Sequence, residues 1–158
     1  MAYLSICIGQ GFLDQHNFYR KRILDGKEKR IPKAIRMPMM RWDENLTETA
    51  KTWAKQCIFK KSKKFQRRTC QHKRVGQNLF YSFTRKEAEL ATKYWYSEIE
   101  YYDYYYNSCR KACGNFTQII WENSTDLGCA MHKCETGLVG VNQDVNTLYL
   151  TVCHYGPE

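Results

Sequence analysis

The stretch from Gly114 to Cys129 constrains this chain most: Gly-Asn-Phe-Thr-Gln-Ile-Ile-Trp-Glu-Asn-Ser-Thr-Asp-Leu-Gly-Cys. Phe116, Ile119, Ile120 and Trp121 recur at helical spacing, so its first half reads as a short amphipathic turn. It runs almost directly into a strand predicted from Leu127 to Cys134. The chain closes with Thr-Val-Cys-His-Tyr-Gly-Pro, Thr151 to Pro157, on a second predicted strand from Thr147 to Tyr155. Asp144 to Thr147 reads as the turn before it.

Upstream, Phe12, Leu13, His16, Tyr19 and Ile23 follow a period near 3.6 and predict a first helix from Phe12 to Leu24, ended by Gly26. Asp25 to Met40 holds Gly26, Pro32 and Pro38 and no helical period, so it reads as a long loop. Asp43 reads as the N-cap of a second helix with the apolar stripe Leu46, Ala50, Trp53, Ala54 and Cys57. Gly76-Gln-Asn-Leu-Phe reads as a tight turn entering a strand near Leu79 to Tyr81. Thr84 caps a third predicted helix with the stripe Ala88, Ala91, Trp95 and Ile99. Helical and strand segments do not alternate regularly, which predicts an α+β layered fold. No repeat or low-complexity linker divides the chain, so a single domain over residues 1–158 is expected.

Eight cysteines include no Cys-x-x-Cys pair and no Cys/His cluster at zinc spacing. That favours disulfides and an oxidising compartment, hence a secreted, extracellular protein. Spacing leaves the pairing open, since eight cysteines allow about 105 connectivities. Tyr3 to Ile8 is too short for a signal peptide, so the chain reads as a mature form with Met1 as an expression start. No segment approaches membrane-spanning length.

The net charge of +9 is concentrated in residues 60–74, where Lys60, Lys61, Lys63, Lys64, Arg67, Arg68, Lys73 and Arg74 meet no acid. This stretch is either a solvated basic loop, the favoured reading, or a patch for acidic glycans, anionic membrane surface or nucleic acid. Nucleic acid is not expected as a partner, because no nucleic-acid motif accompanies the patch.

Several segments, in order, resemble the signatures of the CAP superfamily (cysteine-rich secretory, antigen 5 and pathogenesis-related 1 proteins). They are Phe12-Leu-Asp-Gln-His-Asn-Phe-Tyr-Arg20, Met40-Arg-Trp-Asp-Glu-Asn-Leu46 through Trp53-Ala-Lys-Gln-Cys57, Trp95-Tyr-Ser-Glu-Ile99, and the two late segments above. The long first loop and the cysteine set are most similar to secreted venom-allergen-like proteins of helminths. The resemblance implies a three-layer α-β-α sandwich with a central antiparallel sheet around a cavity. In the family that cavity carries two histidines and two glutamates able to hold a divalent metal. The matching positions here are Lys61, Gln77, Glu98 and Asn115, so one of four donors survives. A lysine, two amides and one carboxylate make a poor ligand set, and no metal or other cofactor is expected. Lys61 would also place a positive charge where the metal would sit. His72, five residues before Gln77, is a substitute imidazole that spacing alone does not place.

With no carboxylate–histidine pair there is no evident proton relay, and there is no Gly-x-Ser-x-Gly elbow. His16 reads as a packed helix residue, while His132 and His154 fall on predicted strands. A non-enzyme is therefore expected.

Tyr94, Trp95, Tyr96, Tyr101, Tyr102, Tyr104, Tyr105 and Tyr106 crowd one region. Trp95 reads as core, and the last five fall outside the third helix. They either pack against the basic stretch through cation–π contacts or form a surface for a flat ligand. In relatives the loop just before the segment matching Gly114-Asn-Phe-Thr-Gln118 binds sterols such as cholesterol. The resemblance thus implies a sterol site at Tyr101, Tyr102, Tyr104, Tyr105 and Tyr106 in the loop Tyr101 to Cys113. It also implies a fatty-acid mode, with a chain such as palmitate between helices gaining about 0.8 kcal/mol per buried methylene. For Phe12, Leu13 and Ile23, each taken alone, core packing is the favoured reading. The resemblance implies Cys57 paired with Cys134 and Cys129 with Cys153; Cys109 with Cys113 would pin the aromatic loop, which leaves Cys7 with Cys70. Sequons at Asn45 and Asn123 are candidate glycan sites, while Asn115 falls on a cavity position.

The expected function is lipid binding by a secreted protein that scavenges lipid or modulates a host. An acidic glycan or host protein bound at residues 60–74 is the alternative, and a metal-dependent hydrolase the weakest.

Overall fold

Helix α1 runs from Ala2 to Leu24, longer than its period predicted. Gly9, Phe12, His16, Arg20 and Ile23 are buried at steps of three and four, the inward face of one helix. Gly26 follows with φ of +69°, and Lys27 N–H returns to the Arg22 carbonyl at 2.9 Å, which closes the helix end. This computed structural model describes residues 2–142 and 147–158, with side chains from Gly9 onward. Asp144 to Asn146 of the expected turn, and the side chain of Cys7, lie outside the described residues.

The segment 25–40 is irregular but pinned. Ile31, Met37 and Met40 are buried, and the Asn17 side chain bonds both the N–H and the carbonyl of Met40, at 2.7 and 3.0 Å. A two-residue strand β1, Arg41–Trp42, follows. Helix α2, Glu44–Ala54, starts on Asp43, whose carboxylate accepts the Leu46 N–H at 2.7 Å. Strand β2, Gly76–Ser82, begins at Gly76 itself, where a turn was expected.

The predicted third helix is two pieces, α3 (Arg85–Ala88) and α4 (Ala91–Ser97), the latter continued by a 3-10 turn from Glu98 to Tyr101. The break coincides with a tertiary contact. The Ala88 carbonyl, which a continuous helix would use, instead accepts the Thr151 hydroxyl at 3.1 Å. Strands β3 (Tyr102–Asp103) and β4 (Ser108–Cys109) form a separate hairpin, and α5 spans Gly114–Ile119. The long strands β5 (Asp126–Cys134) and β6 (Leu148–Gly156) complete the chain.

The main sheet has the order β1-β5-β6-β2. Its three long strands are antiparallel, while β1 joins the edge of β5 in parallel, Arg41 opposite Asp126. Alternation along β6 divides the core. Leu148, Leu150 and Val152 join Ala50, Trp53 and Ala54 under α2. Cys153 and Tyr155 join Phe12, Ile23, Trp95 and Phe116 under α1, α4 and α5. The result is an α-β-α sandwich. The Trp95 indole donates to the Leu79 carbonyl at 3.0 Å, so its burial leaves no orphaned N–H. A Cβ on Gly128 would lie 2.2 Å from the Thr47 nitrogen, so glycine is what lets α2 rest directly on β5.

Disulfides join Cys57 to Cys134, Cys129 to Cys153 and Cys109 to Cys113. The second links a directly paired position of β5 and β6. Cys70 is exposed. No helix among the described residues is long and apolar enough to cross a membrane.

Candidate functional site

Two polar clusters flank β6, and an aromatic hairpin stands apart from both. The first cluster lies on the α2 face. His154 is fully buried, with Nδ1 2.8 Å from the Thr49 hydroxyl and Nε2 2.9 Å from Gln77 Nε2. The Thr49 proton goes to the Leu46 carbonyl at 2.9 Å, so His154 must donate from Nδ1 and accept at Nε2 from the Gln77 amide. Gln77 Oε1 then accepts the Ser62 N–H at 2.8 Å and Arg67 Nη1 at 3.2 Å. Burial, then the Arg67 charge, lowers the His154 pKa to about 3, so the ring is neutral.

The second cluster lies on the α1 face. His16 donates from Nδ1 to the Phe12 carbonyl at 2.7 Å and accepts the Tyr155 hydroxyl at Nε2 at 2.8 Å. Asn78 Nδ2 donates to Tyr155 Oη and to the Asn115 carbonyl, both at 3.0 Å. Burial pushes the Tyr155 phenol well above its ordinary range and lowers the His16 pKa to about 4. Glu98 closes the chain of contacts: Oε1 accepts Asn115 Nδ2 at 2.7 Å, and Oε2 accepts the backbone N–H groups of Asn115 and Phe116 at 3.0 and 3.1 Å. Its carboxylate caps α5.

Of the four cavity positions, Glu98 and Asn115 thus touch directly, while Gln77 belongs to the His154 and Arg67 cluster. Lys61 is exposed, and its ammonium pKa is lowered first by partial desolvation and then by Arg67, against the pull of Glu158 and Glu98. This set does not fit a divalent metal. Both Glu98 oxygens are committed to α5, both His154 nitrogens are bonded, and a lysine and a guanidinium stand nearby. His72 does not supply the missing imidazole; its Nε2 lies 3.1 Å from Asp126 Oδ2, at the start of β5. Cys57, His132 and Cys134 do cluster, but both sulfurs are consumed by their disulfide.

The aromatic segment forms the β3–β4 hairpin. Tyr101 is half-buried under the Lys111 ammonium, 5.1 Å from the ring centroid, so this cation–π partner comes from outside residues 60–74. Tyr102 packs on Phe116 at 5.5 Å. Asp103 accepts the N–H groups of Tyr105 and Tyr106 at 3.1 and 3.2 Å, which tightens the tip. Tyr104, Tyr105 and Tyr106 are 47%, 85% and 83% exposed. A shallow groove of about 360 Å³ runs between Arg30, Tyr102, Asp103, Tyr104, Tyr105 and Arg110. On the other flank, Tyr96 of α4 stacks on Tyr19 of α1 at 3.9 Å.

In the basic stretch, Lys60, Lys61, Lys63, Lys64, Arg68, Lys73 and Arg74 are exposed, and Arg67 is buried. Of the first cluster, sequence reasoning singled out only Gln77 as a site position and missed Thr49, Ser62, Arg67 and His154. Register with Gln77 is the signal that finds His154, directly opposite on β6. Asn45 and Asn123 are exposed.

The cysteine-rich secretory protein (CAP) family model matches residues 13–155. Mouse peptidase inhibitor 16 is 35% identical over 94% of this chain and 27% of its own length. Bovine GLIPR1-like protein 1 is 37% identical over 80% of this chain and 52% of its own. The chain therefore spans about a quarter to a half of these two relatives. Among solved structures, Schistosoma mansoni venom allergen-like protein 4 superposes with a TM-score of 0.79 at 26% identity, over 95% of this chain and 88% of that one. NaASP2 with Zn2+ superposes with a TM-score of 0.72 at 29% identity, over 94% and 78%. A family match across nearly the whole chain, on the layered sandwich described above, makes this protein a member of the cysteine-rich secretory protein (CAP) family.

Proposed function

We propose that this CAP domain is a secreted, non-enzymatic binding protein whose aromatic hairpin takes a sterol-class lipid. One observation carries the reading: Tyr104, Tyr105 and Tyr106 stand exposed at a tip braced by Asp103 and the Cys109–Cys113 disulfide. Three amphipathic rings held in water give a flat ligand apolar area worth about 25 cal/mol per Å² on burial, with hydroxyls left for its polar end. The disulfides fit an oxidising, extracellular setting. A fatty acid between α1 and α4 is less favoured, because the Tyr19–Tyr96 stack occupies that contact. NaASP2 is described with zinc, but the donors here do not suit a metal, which argues against a metal-dependent hydrolase in this chain.

The test is cholesterol binding by the Tyr104→Ala, Tyr105→Ala double variant, with its circular dichroism and melting temperature as controls for folding. We expect affinity to fall at least about tenfold, the loss of 1.4 kcal/mol. Full affinity in a folded double variant would overturn the reading.

A second reading rests on a different observation. Of the seven exposed cations in residues 60–74, Lys64 alone forms an ion pair among the described residues, at 3.4 Å from Glu158. Such a surface suits a sulfated glycan. Retention on heparin that falls steeply with salt would support it, and elution at physiological ionic strength would remove it.

A further inference from the structure

We propose that Arg67 anchors a binding site for a small oxyanion (a sulfate, phosphate or carboxylate group) beside Ser62 and Gln77. The site is distinct from the aromatic hairpin.

Arg67 is 4% exposed, unlike every other cation of its stretch. A guanidinium carries five N–H donors. Nη1 donates to the Ser62 carbonyl and to Gln77 Oε1, both at 3.2 Å. Nε is buried with no partner, and Nη2 makes no hydrogen bond among the described residues. These two nitrogens share one edge of the guanidinium, where parallel N–H bonds match two oxygens of a carboxylate, sulfate or phosphate.

Nothing nearby neutralises the charge. No carboxylate lies within ion-pair distance of Arg67 among the described residues. Glu158 acts on it only at longer range and pairs with Lys64. Glu98 is committed to α5. A glutamate at position 77 would cancel the charge directly; Gln77 offers only an amide dipole. His154 is neutral, and Lys61 adds a second cation. A buried charge without a counter-charge is costly to hold, and a bound anion removes that cost.

The test follows thermal unfolding at constant pH and ionic strength, with chloride replaced by sulfate, phosphate or acetate. The wild-type chain is expected to show a saturable rise of about 3–5 °C at tenfold excess over Kd. General salting-out also raises Tm, but it acts equally on all variants. Gln77→Glu, which sets a carboxylate against Arg67 from within, and Arg67→Gln should each lose the saturable response. If Arg67→Gln fails to fold, Gln77→Glu decides alone. No response in the wild-type chain, or an equal response in Gln77→Glu, overturns the proposal. Octanoate compared with acetate then separates the sources: tighter octanoate binding marks the head group of an amphipath, and equal binding a free ion, and either supports the site.

Discussion

His16 Nε2 lies 2.8 Å from the hydroxyl of Tyr155, and both side chains are completely buried. The Phe12 carbonyl fixes the His16 proton on Nδ1, so the Tyr155 proton must point at Nε2. A second proton on His16 would turn Tyr155 Oη into an acceptor there and take away the acceptor of its own proton. Protonation of His154 would set a donor against the Gln77 amide.

Acid should therefore destabilise the fold through these two rings. Their folded pKa values, about 4 and about 3, lie below the ordinary 6.5, so the unfolded chain binds more protons. The stability they confer is complete above about pH 6.5 and is lost as pH falls toward the folded values. Between pH 7.5 and 4.5 each ring should cost roughly 2–3 kcal/mol. Urea unfolding at the two pH values, on the wild-type chain and on His16→Gln and His154→Gln, measures this. A pH slope unchanged in both variants would refute it.

Gly128→Ala should destabilise the protein by about 3 kcal/mol, because its Cβ meets the α2 backbone, which cannot step aside as a side chain can. Chemical denaturation should show the midpoint falling with the m-value unchanged.

Glu98→Ala should cost about 3 kcal/mol by stripping α5 of its cap, and Glu98→Gln clearly less, since an amide oxygen still accepts one bond. Hydrogen exchange at the Asn115 and Phe116 amides should quicken in both. Unaltered exchange in Glu98→Ala would mean that the carboxylate does not hold the helix.

Zinc or a chelator should each leave the melting temperature within about 1 °C of the untreated value, since a ligand that binds only the folded state must raise it. A concentration-dependent rise with zinc would show a site that the donor set does not suggest.

Much of this architecture was readable from local pattern. The α1 stripe, the Asp43 cap and the two long late strands rest on spacing and capping chemistry close in sequence. The features that were not readable depend on distant partners. The break between α3 and α4 needs Thr151, far along the chain, to take the Ala88 carbonyl. Strand β1 exists because β5 offers its edge. Arg67 looked like one more solvated cation among its neighbours, and only the Gln77 and Ser62 contacts set it apart. The four cavity positions could be named from the motifs, but their division between Glu98 with Asn115 and Gln77 with His154 required the fold.

The alternation along β6 has a practical consequence. His154 and Tyr155, one peptide bond apart, look into opposite halves of the molecule. Isotope labels on that single dipeptide would give two independent spectroscopic channels, one sensing the Arg67 side and the other the side beneath α1. A titrant that shifts one resonance and spares its neighbour would reveal which half it had entered, without any further label.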